Sequence, residues 1–298
     1  MTGIFPQLLA RRAYIGKEHF VNGFKKYFSN GEEIQASASE MLKLRYNACV
    51  KFGITPEDMA LFELGSALSL AGNTTPAIFW IIYYAFSNPE LLADLRTEAE
   101  RLMTTEYDIN GLPARRLDVT TIKDQCPLLT STFQEVLRIR TTGASARMAI
   151  EDTMLAGRYL LKKGGLVQIP SHVIHSDAAI WGPDVNQFNP RRFMQKQKNG
   201  AFRSFGFGDA LCPGRHLAST QSLSVLAMFA LRYDLTSANG SWTVVNQDKS
   251  KLLPFVAVPK EKFAVEITPR KGYDKGSWSF HIQGTERSKA DVTNAMNW

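Results

Sequence analysis

Residues 204–218 read S-F-G-F-G-D-A-L-C-P-G-R-H-L-A. One cysteine, Cys212, ends a glycine-studded loop, and Pro213 and Gly214 follow it. The apolar run over 217–233 then predicts a helix. This pattern sets a thiol on a tight loop at the mouth of a helix. Glycine lets a backbone approach a flat ligand closely and take φ > 0 where a turn needs it. Pro213 suits the first helical turn, where a missing N–H costs nothing. The free N–H groups at the N-terminus of such a helix, together with its dipole, favour a thiolate. The plainer reading of the same residues is a buried cysteine in a Gly-rich turn.

Phe205, Gly208, Cys212 and Gly214 stand at F-x-x-G-x-x-x-C-x-G, a spacing that resembles the haem-binding loop of cytochromes P-450. The resemblance implies haem b (iron protoporphyrin IX) as cofactor, with Cys212 as the iron ligand. It sets Phe205, Gly206 and Gly214 beside the porphyrin. An axial thiolate pushes electron density onto iron and favours O–O cleavage. One position departs from the pattern. The family often carries an arginine two residues before the cysteine, reaching a haem propionate, and here that position is Ala210. Some branches of the family lack this arginine too.

The bulk properties are compatible with this reading. Of 298 residues, 44% are hydrophobic, enough to build a sizeable core. The formal net charge of +7 is scattered in short pairs such as Arg11-Arg12, Lys25-Lys26 and Arg115-Arg116. Nucleic-acid binding needs a clustered basic patch and a recognition motif, and the sequence shows neither. A basic face for an acidic electron-donor protein fits the charge equally well, and a solvated surface is the plainest reading. Cys49, Cys126 and Cys212 form no CxxC pair and no even-numbered framework, which points to a reducing compartment. Cys212 and His216 could share a metal at i, i+4, but a zinc site needs four ligands and no other residues supply that spacing. The first dozen residues hold no signal-peptide core of adequate length.

Helices are expected over 17–30, 32–52 and 55–86, the last opened by Thr55-Pro56-Glu57-Asp58. The stretch 77–86 is apolar but too short to cross a membrane, because Asn73, Thr74 and Thr75 interrupt the run before it. Pro76 cannot donate to the carbonyl of Gly72 and pushes it away, so the helix should widen there. The segment Ala71-Gly72-Asn73-Thr74-Thr75-Pro76 resembles the oxygen-activating groove of the family's long central helix. That resemblance makes Asn73 and Thr74, or Thr74 and Thr75, the catalytic pair that organises dioxygen and water. A packing kink with hydroxyls bonded to carbonyls four residues back reads the same residues without chemistry. The version with asparagine is most similar to the branch holding bile-acid sterol hydroxylases and prostacyclin synthase and their fungal relatives. An asparagine orients water but cannot deliver a proton as an acid does.

Further helices are expected over 90–103 and 127–140, with a loop over 107–119. Within 127–140, Glu135 and Arg138 share a face at i, i+3. Downstream, Phe188-Asn189-Pro190-Arg191-Arg192-Phe193 resembles the family's F-x-P-E-R-F, with Arg191 where glutamate is usual. The resemblance implies a buried structural triad of Glu135, Arg138 and Arg192. Strands are expected over 146–150, 153–155, 158–161, 242–246, 263–268 and 278–283. Arg147 stands where family members place a propionate-binding arginine, and a guanidinium matches a carboxylate well. A plain edge-strand arginine is the alternative. His172 and His175 read as structural.

The four signals run in the family's order: central-helix groove, E-x-x-R, F-x-P-x-R-F, cysteine loop. The expected fold is mainly α with small β-sheets, the C-terminal portion of the cytochrome P-450 fold with its N-terminal part absent. The expected organisation is one domain over 1–283 and a polar tail over 284–298. The resemblance implies a haem-thiolate monooxygenase oxidising a hydrophobic small molecule such as a sterol, fatty acid or secondary metabolite. Electrons would come from an NADPH-dependent reductase, and no nucleic-acid partner is expected. The alternatives are an inactive truncated remnant and a haem-thiolate isomerase or dehydratase. The sequence shows no transmembrane anchor or signal peptide and leaves the location open; the resemblance to full-length relatives implies the cytoplasm or the periphery of the endoplasmic reticulum.

Overall fold

A computed structural model describes residues 7, 10–29, 38–195, 200–248, 250 and 255–282. The end of the first expected helix at residue 30, the start of the second at residue 32, Gln283 and the tail over 284–298 lie outside them. The chain divides into two compact units, 1–72 and 73–298.

In the first unit, α1 (Arg11–Ser29) begins earlier than the spacing of its aromatics suggests. Helix α2 (Glu40–Lys51) is capped by Ser39, whose Oγ accepts from Leu42 N at 3.4 Å. Helix α3 (Pro56–Ser69) opens as its sequence predicts, with Thr55 Oγ1 accepting from Asp58 N at 3.2 Å and proline at the first position. Val21 and Phe28 of α1 bury against Met59 and Ala60 of α3, and Tyr46 of α2 stacks on Phe28.

The single helix expected over 55–86 is three pieces. Leu70–Thr74 form a π-helical turn, and α4 (Thr75–Phe86) resumes behind it with Pro76 in its first turn. The widening expected from the missing Pro76 donor falls on this turn.

In the second unit, α4, α5 (Pro89–Glu100), α7 (Pro127–Arg140) and α10 (Arg215–Arg232) enclose one core, with the short α6 (Ile122–Gln125) leading into α7. Trp80, Ile81, Leu95, Leu129, Phe133, Leu223 and Leu226 are fully buried in it. Burying one such side chain is worth about 1.5–3 kcal/mol, so this core dominates the stability of the unit. Among the described residues no helix is long and apolar enough to cross a membrane.

The sheets are small, and two expectations are corrected there. The loop expected over 107–119 is a hairpin: β1 (Met103–Tyr107) pairs antiparallel with β2 (Pro113–Asp118). Its turn is set by Asp108, whose Oδ1 accepts from Asn110 N and Leu112 N at 2.8 Å each, and by Gly111 at φ 71°. Strand β2 then pairs in parallel with β9 (Ser277–His281), the last of the described strands. The strand expected over 242–246 is absent. Trp242 there stacks on Phe263 at 5.2 Å, Thr243 O accepts from Tyr83 Oη at 2.8 Å, and Asn246 O accepts from Lys260 N at 2.8 Å beside an isolated bridge of Gln247 with Pro259, so the pairing stops short of a strand. The pair that forms instead is β7 (Tyr233–Ser237) with β8 (Val265–Pro269). Strand β3 (Ala144–Met148) pairs with β6 (Leu166–Pro170), and β4 (Thr153–Leu155) with β5 (Tyr159–Leu161).

Candidate functional site

Glu135, on α7, is fully buried. Its helix neighbour Arg138 grips it through both arms, Nε to Oε2 at 2.7 Å and Nη2 to Oε1 at 2.8 Å. Arg192 sits on a short 3-10 turn, Arg192–Met194, and donates Nε to Oε1 and Oε2 at 3.1 and 3.2 Å. Asn189 N adds a bond of 3.0 Å to Oε1. A carboxylate between two guanidiniums leaves one positive charge over, and Asp184 supplies its counterpart. Asp184 Oδ1 and Oδ2 accept from Arg192 Nη1 and Nη2 at 3.0 Å each. These bonds from Arg192, with a further one from Asn189, hold the Asp184 carboxyl below the usual range. The cluster is therefore a neutral tetrad of two acids and two arginines. Asp184 lies eight positions before Arg192, so helical spacing gives no sign of their pairing.

The remaining guanidinium donors tie the tetrad to its surroundings. Arg138 Nη1 donates to His175 O at 2.6 Å and Nη2 to Val185 O at 2.8 Å, and Arg192 Nη1 donates to Trp181 O at 2.7 Å. His175 ends the short helix α8 (Ser171–His175), and Trp181 ends α9 (Ala178–Trp181). The His175 ring lies between the tetrad and the cysteine loop. Its Nδ1 is 3.0 Å from Arg138 O, and its Nε2 accepts from Arg203 N at 2.9 Å. With Nε2 accepting, Nδ1 carries the proton and donates to Arg138 O. Burial, with Arg138, Arg203 and His172 nearby, pushes its pKa down to about 4, so the ring is neutral around pH 7.

The cysteine loop begins two residues after Arg203. Cys212 N donates to Phe205 O at 2.8 Å, which closes the loop over 205–212. Gly206 (φ 81°) and Gly208 (φ 59°) turn the chain left-handed inside it. A Cβ on Gly206 would stand 3.1 Å from Ala210 O, so this position needs glycine for space as well as for φ. Gly214 has φ −83° and serves as the N-cap of α10; Pro213 precedes the helix and is not in its first turn. Cys212 is a free, partly exposed thiol, and Arg215 Nη1 bonds its carbonyl at 3.2 Å. Arg147, on β3, is exposed; its Cζ stands 5.2 Å from the Phe207 ring and its Nη1 donates to its neighbour Ala146 O at 2.8 Å.

Asn73, Thr74 and Thr75 fall on the π turn and its exit. Asn73 Oδ1 accepts from Phe255 N at 2.7 Å and Val256 N at 3.4 Å, so the amide oxygen ties this turn to the segment at 255–256. Thr74 is buried and Thr75 exposed. The same segment is bound from the far end of α7: Thr142 N donates to Phe255 O at 2.8 Å, and Ala257 N to Arg140 O at 2.8 Å. The structure thus shows three clusters: the tetrad, the cysteine loop with Arg147, and Asn73 on the 255–257 segment. His175 joins the first two. Through Arg140, the last residue of α7, the helix that carries Glu135 reaches the third.

The chemistry of the second cluster fits haem. A single soft thiolate suits iron, and guanidiniums suit propionates. Around this loop, Arg203 Nε, Ser204 Oγ and Arg215 Nε are buried with no hydrogen-bond partner among the described residues. Buried donors without partners are uncommon and call for a ligand or water.

This architecture, a helical core with a cysteine loop braced by a buried Glu–Arg–Arg cluster, defines a haem-thiolate class of protein. The model of the Cytochrome P-450 family matches residues 67–265, and the chain belongs to that family. It is 32% identical to Cytochrome P-450 monooxygenase nodJ of Hypoxylon pulicicidum, over 95% of this chain and 57% of the relative. It is 24% identical to a cytochrome P-450 monooxygenase of Gibberella zeae, over 93% of this chain and 56% of that one. A third relative, the bifunctional cytochrome P-450/NADPH–P-450 reductase 2 of Bacillus subtilis, is 27% identical over 68% of this chain. The chain spans a little over half the length of the first two relatives. Members of the family use haem b as cofactor.

Proposed function

We propose that the chain carries the haem-binding and oxygen-activating portion of a haem-thiolate monooxygenase acting on a hydrophobic small molecule. The observation that carries this reading is Cys212, partly exposed on a loop closed by its own N–H and joined through His175 to the buried Glu135 cluster. Bound haem would supply the redox-active iron at which dioxygen is reduced, one oxygen atom going to the substrate and the other to water. Cys212 would hold that iron through its sulfur. Phe205, Gly206 and Gly214 would lie along the porphyrin, and Arg147 would bind a propionate.

Thr74, the more buried of the two threonines, would hold water by its hydroxyl, with Thr75 as the alternative. Asn73 has its oxygen bonded to the backbone N–H groups of Phe255 and Val256. An amide has no acidic proton to give. That limit keeps a haem-thiolate isomerase or dehydratase, which needs no delivered proton, as the second reading. The monooxygenase names of the fungal relatives favour the first. A relative fused to an NADPH–P-450 reductase supports an electron donor of that kind.

The test is spectroscopic. The chain reconstituted with haemin, reduced under carbon monoxide, should give the red-shifted Soret band of thiolate ligation, and Cys212→Ala should abolish it. No haem uptake, or a band indifferent to Cys212→Ala, refutes the assignment. Product formation from a hydrophobic substrate with reductase and NADPH then separates the monooxygenase from a peroxide isomerase, which turns over without electrons, and from an inactive remnant, which does neither.

A further inference from the structure

We propose that Arg203 is a second propionate-binding guanidinium, supplying the charge that Ala210 does not. The proposal rests on the haem reading above. Two arginines converge on one ring of the cysteine loop: Arg203 Cζ lies 4.2 Å from the centroid of Phe207, and Arg147 Cζ lies 5.2 Å from the same centroid. Among the described residues neither guanidinium belongs to an ion pair. Two cations on one ring of the loop leave positive charge that a bound anion would neutralise. Haem brings two carboxylates, one for each guanidinium.

Arg203 is also built for a fixed position. Its N–H is bound by His175 Nε2 at 2.9 Å, and its carbonyl accepts from Gly206 N at 3.0 Å and Ser171 Oγ at 3.3 Å. The side chain extends from a backbone anchored to both the tetrad link and the cysteine loop. Gly200, at φ 74°, passes so near that an added Cβ would stand 3.2 Å from Arg203 Nη2. Inside this fixed frame Nε is buried and has no partner among the described residues. A buried donor on a cation is costly to leave unsatisfied, whereas a carboxylate accepting from it makes a strong charge-assisted bond. Stacking on Phe207 alone would hold the guanidinium but leave Nε unmet.

The test compares protohaem with its dimethyl ester, in which both propionate charges are removed. Affinity is read by Soret titration of the full apo chain, and retention by haem transfer to excess apomyoglobin. Arg203→Gln should weaken protohaem binding roughly tenfold to a hundredfold and speed its transfer, with ester affinity changing less than about twofold. Arg203→Lys should recover part of the protohaem affinity, and Arg147→Gln should show the same selectivity. Equal loss of both porphyrins in Arg203→Gln, or loss of neither, overturns the proposal by leaving Arg203 a packing role or none. Near-UV circular dichroism of each apo variant separates a folding defect, and Arg203→Lys carries the comparison if the glutamine variant does not fold. Failure of the unmutated chain to take up either porphyrin, or an unchanged thiolate band in Cys212→Ala, refutes the haem reading itself and the proposal with it.

Discussion

At the scale of single residues, the chemistry turns on how each buried charge is matched. Glu135 is fully buried and accepts from two guanidiniums, so neutralising it leaves Arg138 and Arg192 facing each other across a dry site. Removing one partner of a buried ion cluster costs about 3–5 kcal/mol. Glu135→Gln should therefore lower the unfolding free energy by about that amount in urea titration, and a loss under about 1 kcal/mol would show that water reaches the cluster. His175 makes a prediction about pH. Its folded pKa is pushed to about 4 while the unfolded chain keeps the ordinary value of 6.5. Between those values the unfolded state binds the proton more readily, so stability falls as pH falls through the window. The loss from pH 7 to pH 5 should be about 2 kcal/mol, and His175→Gln should flatten that part of the profile. Burial and the charges of Arg138, Arg203 and His172 oppose its protonation, and the bond to the Arg138 carbonyl offsets them only in part. The sequence revealed Glu135, Arg138 and Arg192 because a motif of known order carries them. It did not reveal Asp184 or the two-sided link of His175, because those contacts join positions with no local period.

At the scale of elements, the same division appears in how helices begin. Thr55 and Asn88 cap their own helices, with Asn88 Oδ1 accepting from Leu91 N at 3.1 Å, and both starts are legible in sequence as a capping side chain followed by proline. Helix α7 also has proline first, but its N-cap residue Cys126 makes no side-chain cap. The cap comes from another helix: Glu98 of α5 accepts from Leu128 N at 3.0 Å and Leu129 N at 2.9 Å. A carboxylate there also meets the positive end of the helix dipole. Glu98→Ala should cost about 1–2 kcal/mol, with hydrogen exchange accelerated first at 128–131. An effect spread evenly over the helix would argue that packing alone sets its start. The same carboxylate adds to the burial of Cys126, whose thiol is pushed up to about 12, so this thiol is a packed side chain and not a nucleophile. The 242–246 stretch misled for a related reason. The β-branched run Thr243-Val244-Val245 matches a strand, but a strand needs an edge to pair with, and Trp242 packs on Tyr83 and Phe263 instead.

At the scale of the molecule, long-range pairing decides what the order of motifs alone could not. The order of the four motifs was enough to expect a mainly helical fold with small sheets, because each motif fixes a local shape and the helices between them carry their own periods. It could not show that β9, near the end of the described chain, would lie beside β2, more than 150 positions earlier. Arg115 organises that junction. Its Nη1 and Nη2 donate to Lys275 O and Gly272 O at 2.8 Å each, and its Cζ stands 4.8 Å from the Tyr273 ring and 5.4 Å from that of Trp278. Gly276 makes the approach possible. It holds φ 91°, and a Cβ there would fall 1.9 Å from Pro113 O. Backbone cannot yield as a side-chain tip can, and L-residues avoid this φ. Gly276→Ala should therefore displace β9 from β2, lowering stability by about 2 kcal/mol or more and exposing the β2 amides to exchange. The α7 core should keep more of its protection, because Glu135, Phe133 and Leu129 are fully buried on a helix packed against α4, α5 and α10. If protection fell equally in both places, the β2–β9 junction and the helical core would form one cooperative unit.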